Sequence, residues 1–417
     1  MHAILDLGET TRFAGPLGRV TMVLPIPGSA AFRHLASIWR FQSLSAQDGS
    51  IAFYSEGPAY WVHLQPMIES LVEEHDATVC YLSSHPDDPG LHTGNPRIKP
   101  FCIGDGMFRT SLFKTLKADV MVLTMPDLDR VRVKRSVYPV HYVYVFHSIV
   151  STHMAYRTGA FDNFDSVFCV GPHHKAEIRR AEELHCQPGK NLVEHGYGRL
   201  DSIMRVAKTE GAQSSVRDAK RILYAPSWGG FGRPEPLQTH GEALTGRLLE
   251  AGFHVTVRPH PMSQLKSGLF LDAFRAKFRQ HSMFAYEENV GSQDSLHQSQ
   301  LMISDWSGAA FDFAYGLERP VLFLDVPPKI NNPEYEDLGL APIEVTARHE
   351  IGKVLAPARV DEVVAAAGQL IAESDLYAAS IRRSRSRNVY NIGESGKRGA
   401  EYILELQRKA ASLAAGA

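Results

Sequence analysis

Twice along this chain, short apolar runs alternate with stretches of helical periodicity, and that alternation limits the possible folds more than any other feature. From Ile51 onward the runs IAFYS, ATVCYLSS, ADVMVLTM, HYVYVFH, SVFCVG and NLVEHGY are separated by helical stretches at 60–74, after Gly106 and at about 173–184. Runs that are apolar throughout, rather than at every second position, suit strands buried on both faces. Helices between them supply the crossovers that parallel strands require. Pro66 falls inside the first helical stretch and is expected to sit in it or kink it.

Residues 208–220, KTEGAQSSVRDAK, are polar and without periodicity, which predicts a linker. The pattern then restarts. RILYAPS, FHVTVRPHP, QLMISD and RPVLFLD read as strands, with helices at 237–251, around 272–280 and from about Ser307. The expected fold class is α/β, with two Rossmann-like doubly wound domains facing a cleft. The expected division is an extension at 1–50, a first Rossmann-like domain at 51–207, the linker at 208–220, a second such domain at 221–380 and a helical region at 381–417. Ligands of open α/β sheets collect beyond the carboxyl ends of the strands, so the cleft is the expected site.

Composition narrows the function. A chain of 417 residues exceeds what one hydrophobic core serves, and a net charge of −2 offers no general field for nucleic acid, so any anion site must be local. Cys80, Cys102, Cys169 and Cys186 show no CxxC spacing, which fits a reduced, cytoplasmic compartment. No run reaches the length of a membrane span and the first residues lack the pattern of a signal peptide, so neither spanning nor secretion by that route is expected. Phe32, Leu35, Ala36 and Trp39 follow i, i+3, i+4, i+7 spacing. That stripe suits either a helix packed on its own domain or one lying on the inner face of the cell membrane.

Three segments have the residue types for chemistry at strand ends. In LMISDWSGAAFDFAYGLERPVLFLD, residues 301–325, a strand ends at Ser304 and Asp305, and Ser307 with Gly308 opens a helix whose free amides could seat a phosphate; Ser and Asp are also common caps with no ligand. In RPHP, residues 258–261, two prolines stiffen a turn that presents Arg258 and His260 as a charged clamp or a proton donor. In YVFHSIVSTHMAYRTGAF, residues 144–161, His147 closes a strand of the first half and is expected to face His260 across the cleft, while His153 and Arg157 would share a helical face. APSWGG, residues 225–230, adds Ser227 and Trp228; YSEGPAYW, residues 54–61, is its counterpart; HGYGRLD, residues 195–201, reads as a hinge carrying Arg199. GxGxxG and GxxxxGK[ST] do not occur in a strand-to-helix setting, and no metal-binding pattern such as HExxH is present.

These residues give the sequence a resemblance to the CDP-glycerol glycerophosphotransferase family, enzymes that build teichoic-acid-like poly(glycerol phosphate) on a membrane-bound acceptor. The matching pieces are FH at 146–147, PSW at 226–228, RPHP at 258–261, SDWSGAAFDFA at 304–314, RPVLF at 319–323 and YNIGESGKRGAEYI at 390–403; Ser148 and Ile149 stand where the family usually has Gly-Thr. The resemblance implies a glycosyltransferase-B-like fold and CDP-glycerol as donor substrate, with no cofactor and no metal required. His147 would be the base for the acceptor hydroxyl, His260 would act at the donor phosphates, and Arg258, Ser304, Asp305, Ser307, Gly308, Ser227, Trp228, Ser395 and Arg398 would line the donor site. The implied partners are the nucleotide-activated donor and a lipid-linked or polymeric acceptor, with the membrane surface as a further candidate. A nucleotide-sugar glycosyltransferase or a UDP-sugar 2-epimerase on the same fold is the alternative.

Overall fold

In a computed structural model of the protein, residues 29–130, 133–209, 220–230, 234–289 and 292–415 are described. Most of the expected extension, and 210–219 of the expected linker, lie outside them. The apolar runs form two parallel sheets. The first holds β1 (Ile51–Ser55), β2 (Val79–Ser83), β3 (Ile98–Cys102), β4 (Val120–Leu123), β5 (His141–Val145), β6 (Ser166–Cys169) and β7 (Asn191–Glu194), in the order β3-β2-β1-β4-β5-β6-β7. The second holds β8 (Arg221–Tyr224), β9 (His254–Val257), β10 (Phe284–Tyr286), β11 (Leu301–Ser304), β12 (Val321–Leu324) and β13 (Gly352–Leu355), in the order β10-β9-β8-β11-β12-β13. All of β1, β2, β4, β6, β11 and β12 is buried, which is why their sequences carry no polar alternation. The partly exposed strands β3, β10 and β13 lacked that signal and were not expected.

Strand order reverses direction between β1 and β4 in the first sheet and between β8 and β11 in the second. Each reversal opens a crevice at the carboxyl ends, because the following loops diverge to opposite faces. β8 and β11 run in register, with Met302 beside Leu223 and Ile303 beside Tyr224, so the loops starting at Ala225 and Asp305 leave side by side.

The two halves share packing. One hydrophobic cluster runs from the first sheet through Leu200 and Ile203 into Ala310, Phe311, Ala314 and Tyr315 of the second half. The last helix, Ser395–Ala415, returns to the helix Trp61–Glu73, which contains Pro66. Glycine sets that approach: a Cβ on Gly396 would lie 2.5 Å from the Pro66 carbonyl oxygen, and one on Gly399 2.5 Å from Met67 Sδ. The helix Ala30–Gln42 buries Ile38 and Phe41 against β3 and leaves Phe32 and Trp39 exposed at 41% and 62%. The stripe read from the sequence is therefore the outer face, one helical step away from the face that packs. No helix among the described residues is long and apolar enough to cross a membrane.

Candidate active site

A cleft of about 550 Å³ lies between the two sets of strand ends. From the first half it is lined by Tyr60, His63, His147, Ser148, Tyr156 and Arg199. From the second half come Ser227, Arg258, His260, Ser307, Gly308, Asp312 and Lys329.

His147 follows β5 by two residues, and its carbonyl is held by the Tyr197 hydroxyl at 2.9 Å. Its ring meets Tyr60, His63 and Tyr156 edge to face, with centroids 5.5, 6.1 and 6.2 Å away. Its Nδ1 is buried with no hydrogen-bond partner. Burial in this cage, opposed by the Thr124 backbone and reinforced by the Lys329 charge, lowers its pKa to about 4, so the imidazole is neutral at physiological pH.

His260 is placed by the two prolines as expected. Pro261 takes the first position of the helix Pro261–Lys266, and His260 is its N-cap, with Nδ1 accepting from the Met262 amide at 3.1 Å. That bond fixes the proton of the neutral ring on Nε2. Burial, with Lys329 and His147 nearby, lowers the His260 pKa to about 3. His260 is thus a neutral Nε2–H donor at physiological pH.

Arg258, at the end of β9, is 7% exposed; its guanidinium donates to the Ser292 carbonyl at 3.2 Å and stands 3.7 Å from Glu287. Burial, then the like charge of Arg199, lowers its pKa to about 10, which leaves it cationic at neutral pH. Arg199 and Asp312 form a buried pair at 2.8 Å that joins the halves. The HGYGRLD segment is therefore an inter-half clamp, since Arg199 sits in the helix Gly198–Thr209 with its charge satisfied from the opposite side.

The SDWSG turn divides into two parts. Ser304 Oγ donates to the Ala225 carbonyl at 2.7 Å, and Asp305 accepts from the Ser227 amide at 2.7 Å and the Ser227 hydroxyl at 2.5 Å. Ser304 and Asp305 are 1% and 2% exposed, so they bolt the β8 and β11 loops together beneath the cleft while Ser227 reaches its wall. Ser307 and Gly308 face the cleft. The Ala309 amide bonds the Ser307 hydroxyl at 3.3 Å, and among the described residues the Ser307 and Gly308 amides find no acceptor. A Cβ on Gly308 would lie 2.1 Å from Ser148 Oγ, so this glycine allows the two halves to touch.

Three candidates lie elsewhere. Trp228 is outside the lining. Ser395, fully buried, donates from its amide and hydroxyl to Asp201, and Arg398 pairs with Glu401 at 3.4 Å on the last helix. His153 and Arg157 also part: the helix Thr152–Ala155 is too short to hold both, His153 is buried beside Glu177 at 3.4 Å and Arg157 bonds Asp127. Of the other lining residues, His63 and Lys329 lie outside every segment read for chemistry, whereas Tyr60, Tyr156 and Asp312 lie inside such segments without having been singled out. Asp312, a lone carboxylate in the apolar helix Ala309–Leu317, was legible as a buried charge that needs a partner.

Residues 147–326 match the model of the CDP-glycerol:poly(glycerophosphate) glycerophosphotransferase family. No curated protein matches the chain. Among solved structures, the wall teichoic acid polymerase TagF is similar at 14% identity and a TM-score of 0.59, over 91% of this chain and 94% of that one. The UDP-GlcNAc 2-epimerase from Neisseria meningitidis bound to UDP-GlcNAc is similar at 13% identity and a TM-score of 0.53, over 85% and 100%. S. aureus MnaA with UDP is similar at 14% identity and a TM-score of 0.56, over 86% and 97%. At these identities the likenesses establish a common fold of two facing parallel-sheet halves. The matched segment, residues 147–326, supplies His147, Arg199, Ser227, Arg258, His260 and Asp312 to the cleft, so the likeness to glycerophosphotransferases falls on the residues that line it.

Proposed function

We propose that the protein moves glycerol phosphate, or a related alditol phosphate, from a CDP-activated donor to a hydroxyl of a membrane-linked glycan or polymer, with release of CMP. The observation that carries this reading is the pair of neutral histidines, His147 and His260, brought from opposite halves to one cleft among Arg199, Arg258 and Lys329. In the proposed step the acceptor oxygen attacks the β-phosphorus of the donor as its proton passes to the His147 imidazole. A new P–O bond forms, the bond to the bridging oxygen breaks, and its electron pair leaves with CMP. Phosphoryl transfer of this kind rests on positioning and charge stabilisation. The Nε2–H of His260, the Arg258 guanidinium and the amides at Ser307 and Gly308 are the donors available to the phosphate oxygens. A base held near pKa 4 is weak until the anionic donor arrives and raises it, which ties proton transfer to donor occupancy. The exposed Phe32 and Trp39 would rest on the inner face of the membrane that carries the acceptor.

The test is incubation of the protein with CDP-glycerol and a short poly(glycerol phosphate) acceptor, reading CMP release and the mass gained by the acceptor, alongside calorimetric titration with CDP and UDP. Binding of CDP over UDP with growth of the acceptor supports the reading. Turnover of a UDP-sugar with CDP-glycerol inert would move the protein to the sugar-transferring or epimerising activity, for which the likeness to the UDP-GlcNAc 2-epimerase structure provides the scaffold.

A further inference from the structure

Lys329 lies beyond the end of the matched segment, in the loop that leaves the carboxyl end of β12, and it lines the cleft. Among the described residues its ammonium forms no ion pair and no hydrogen bond, although the carboxylate nearest to it electrostatically, Asp305, is buried close by. Asp305 is already taken up by the Ser227 amide and hydroxyl, so it does not neutralise the lysine. Lys329 is half-buried in the cleft wall, and a partly desolvated ammonium without a partner gains more from an arriving anion than one in open water does.

The loop is pinned on both sides of the lysine. Before it, the Val326 carbonyl accepts from Trp306 Nε1 at 2.8 Å, in the second half. After it, the Asn331 amide donates to the Met154 carbonyl at 3.0 Å, the Asn331 side chain to the Ala155 carbonyl at 3.1 Å, and the Asn332 side chain to the His153 carbonyl at 3.0 Å, all in the first half. The second half thus carries the lysine and the first half fixes its position. Its charge acts on both His147 and His260, which places it at the plane where the two halves' chemistry meets.

We propose that the Lys329 ammonium binds the diphosphate oxygens of the donor between His147 and His260, a phosphate ligand for the transfer step supplied from outside the family segment. This rests on the reading that a nucleoside-diphosphate-linked donor occupies the cleft. Opposed by an arginine on each half and the Ser307 and Gly308 amides, the bound diphosphate satisfies the one lysine in the cleft lining that lacks an anion.

The test is calorimetric titration of the wild-type protein and Lys329→Met with inorganic pyrophosphate, CDP, UDP and cytidine, with thermal unfolding of both proteins. Loss of one charge-assisted contact should weaken pyrophosphate and CDP roughly 10- to 100-fold and leave cytidine unchanged. Unfolding should occur at the same temperature or higher, because methionine removes an unpaired, partly desolvated charge, whereas a lysine with a structural role would leave a less stable variant. Pyrophosphate and CDP affinities within about twofold of wild type would overturn the assignment, as would a wild-type protein that binds neither pyrophosphate nor any nucleoside diphosphate. A wild type that favours UDP over CDP, with pyrophosphate still weakened in Lys329→Met, would remove the cytidine donor and leave Lys329 in its role.

Discussion

His147 and His260 share a residue type, a depth of burial and a cleft, yet their surroundings give them different work. His147 keeps a ring nitrogen without a partner inside an aromatic cage, whereas the Nδ1 of His260 is occupied by the Met262 amide. Replacing His147 with alanine should cut transfer roughly 10²- to 10⁴-fold while donor binding stays within about threefold, since a missing base acts on the chemical step. Steady-state transfer and calorimetry with CDP separate the two; an equal loss in both would mean His147 binds rather than abstracts. For His260 the informative comparison is between alanine and asparagine. Either change should lower transfer and donor hydrolysis together, on the order of 10²-fold, by removing a hydrogen-bond donor to the phosphates. Asparagine can still accept from the Met262 amide, so His260→Asn should retain thermal stability that His260→Ala loses, at about 1 kcal/mol for the cap. Indistinguishable stability of the two variants would dismiss the capping role.

At the scale of elements, the junction of the halves depends on helices that approach closely. Gly316, in the helix Ala309–Leu317, faces Ile203 of the helix Gly198–Thr209, and a Cβ there would lie 2.5 Å from Ile203 Cγ2. Alanine would gain about 1 kcal/mol of helix propensity. Ile203 is fully buried and β-branched, so it cannot swing aside, and overpacking of this kind costs about 1–3 kcal/mol. Gly316→Ala should therefore lower the urea midpoint, by an amount equal to up to about 2 kcal/mol after the two terms offset. A raised midpoint would show that the helices can separate at little cost. The same two helices carry Arg199 and Asp312, so loosening them also disturbs the cleft wall.

For the whole molecule, histidines kept neutral by burial decide the response to acid. His63, His147, His174, His195 and His260 all have pKa values lowered first of all by burial. Their folded values lie below the unfolded value of about 6.5, so the unfolded chain binds more protons as pH falls through that point. Their contribution is complete above about pH 6.5 and is lost progressively toward pH 4. Each pH unit between a folded and an unfolded value is worth about 1.4 kcal/mol. Urea unfolding at pH 7 and pH 5 should show a net fall in stability, smaller than these histidines alone would give, because buried Glu344, with its pKa raised to about 7, gains a proton on folding over the same range and acts in the opposite sense. At the same scale, the contribution of sequence and of fold can be separated. The two parallel sheets were legible because strands buried on both faces must be apolar throughout, and that pattern needs no partner to be recognised. The RPHP turn and His147 were legible because prolines and a strand end set local geometry within a few residues. Ser304 and Asp305 lie beneath the cleft, bonded to the neighbouring loop, and the sequence alone could not show this, because a serine or aspartate after a strand looks the same whether it meets a ligand or that loop. Gly308, Ser395 and Arg398 could be judged only once Ser148, Asp201 and Glu401 were seen beside them. Lys329 carried no local signal at all. Local pattern determined the elements and their order; which polar side chain is satisfied within the protein, and which is left facing the cleft, depends on residues far apart in the chain, and only the tertiary structure decided it.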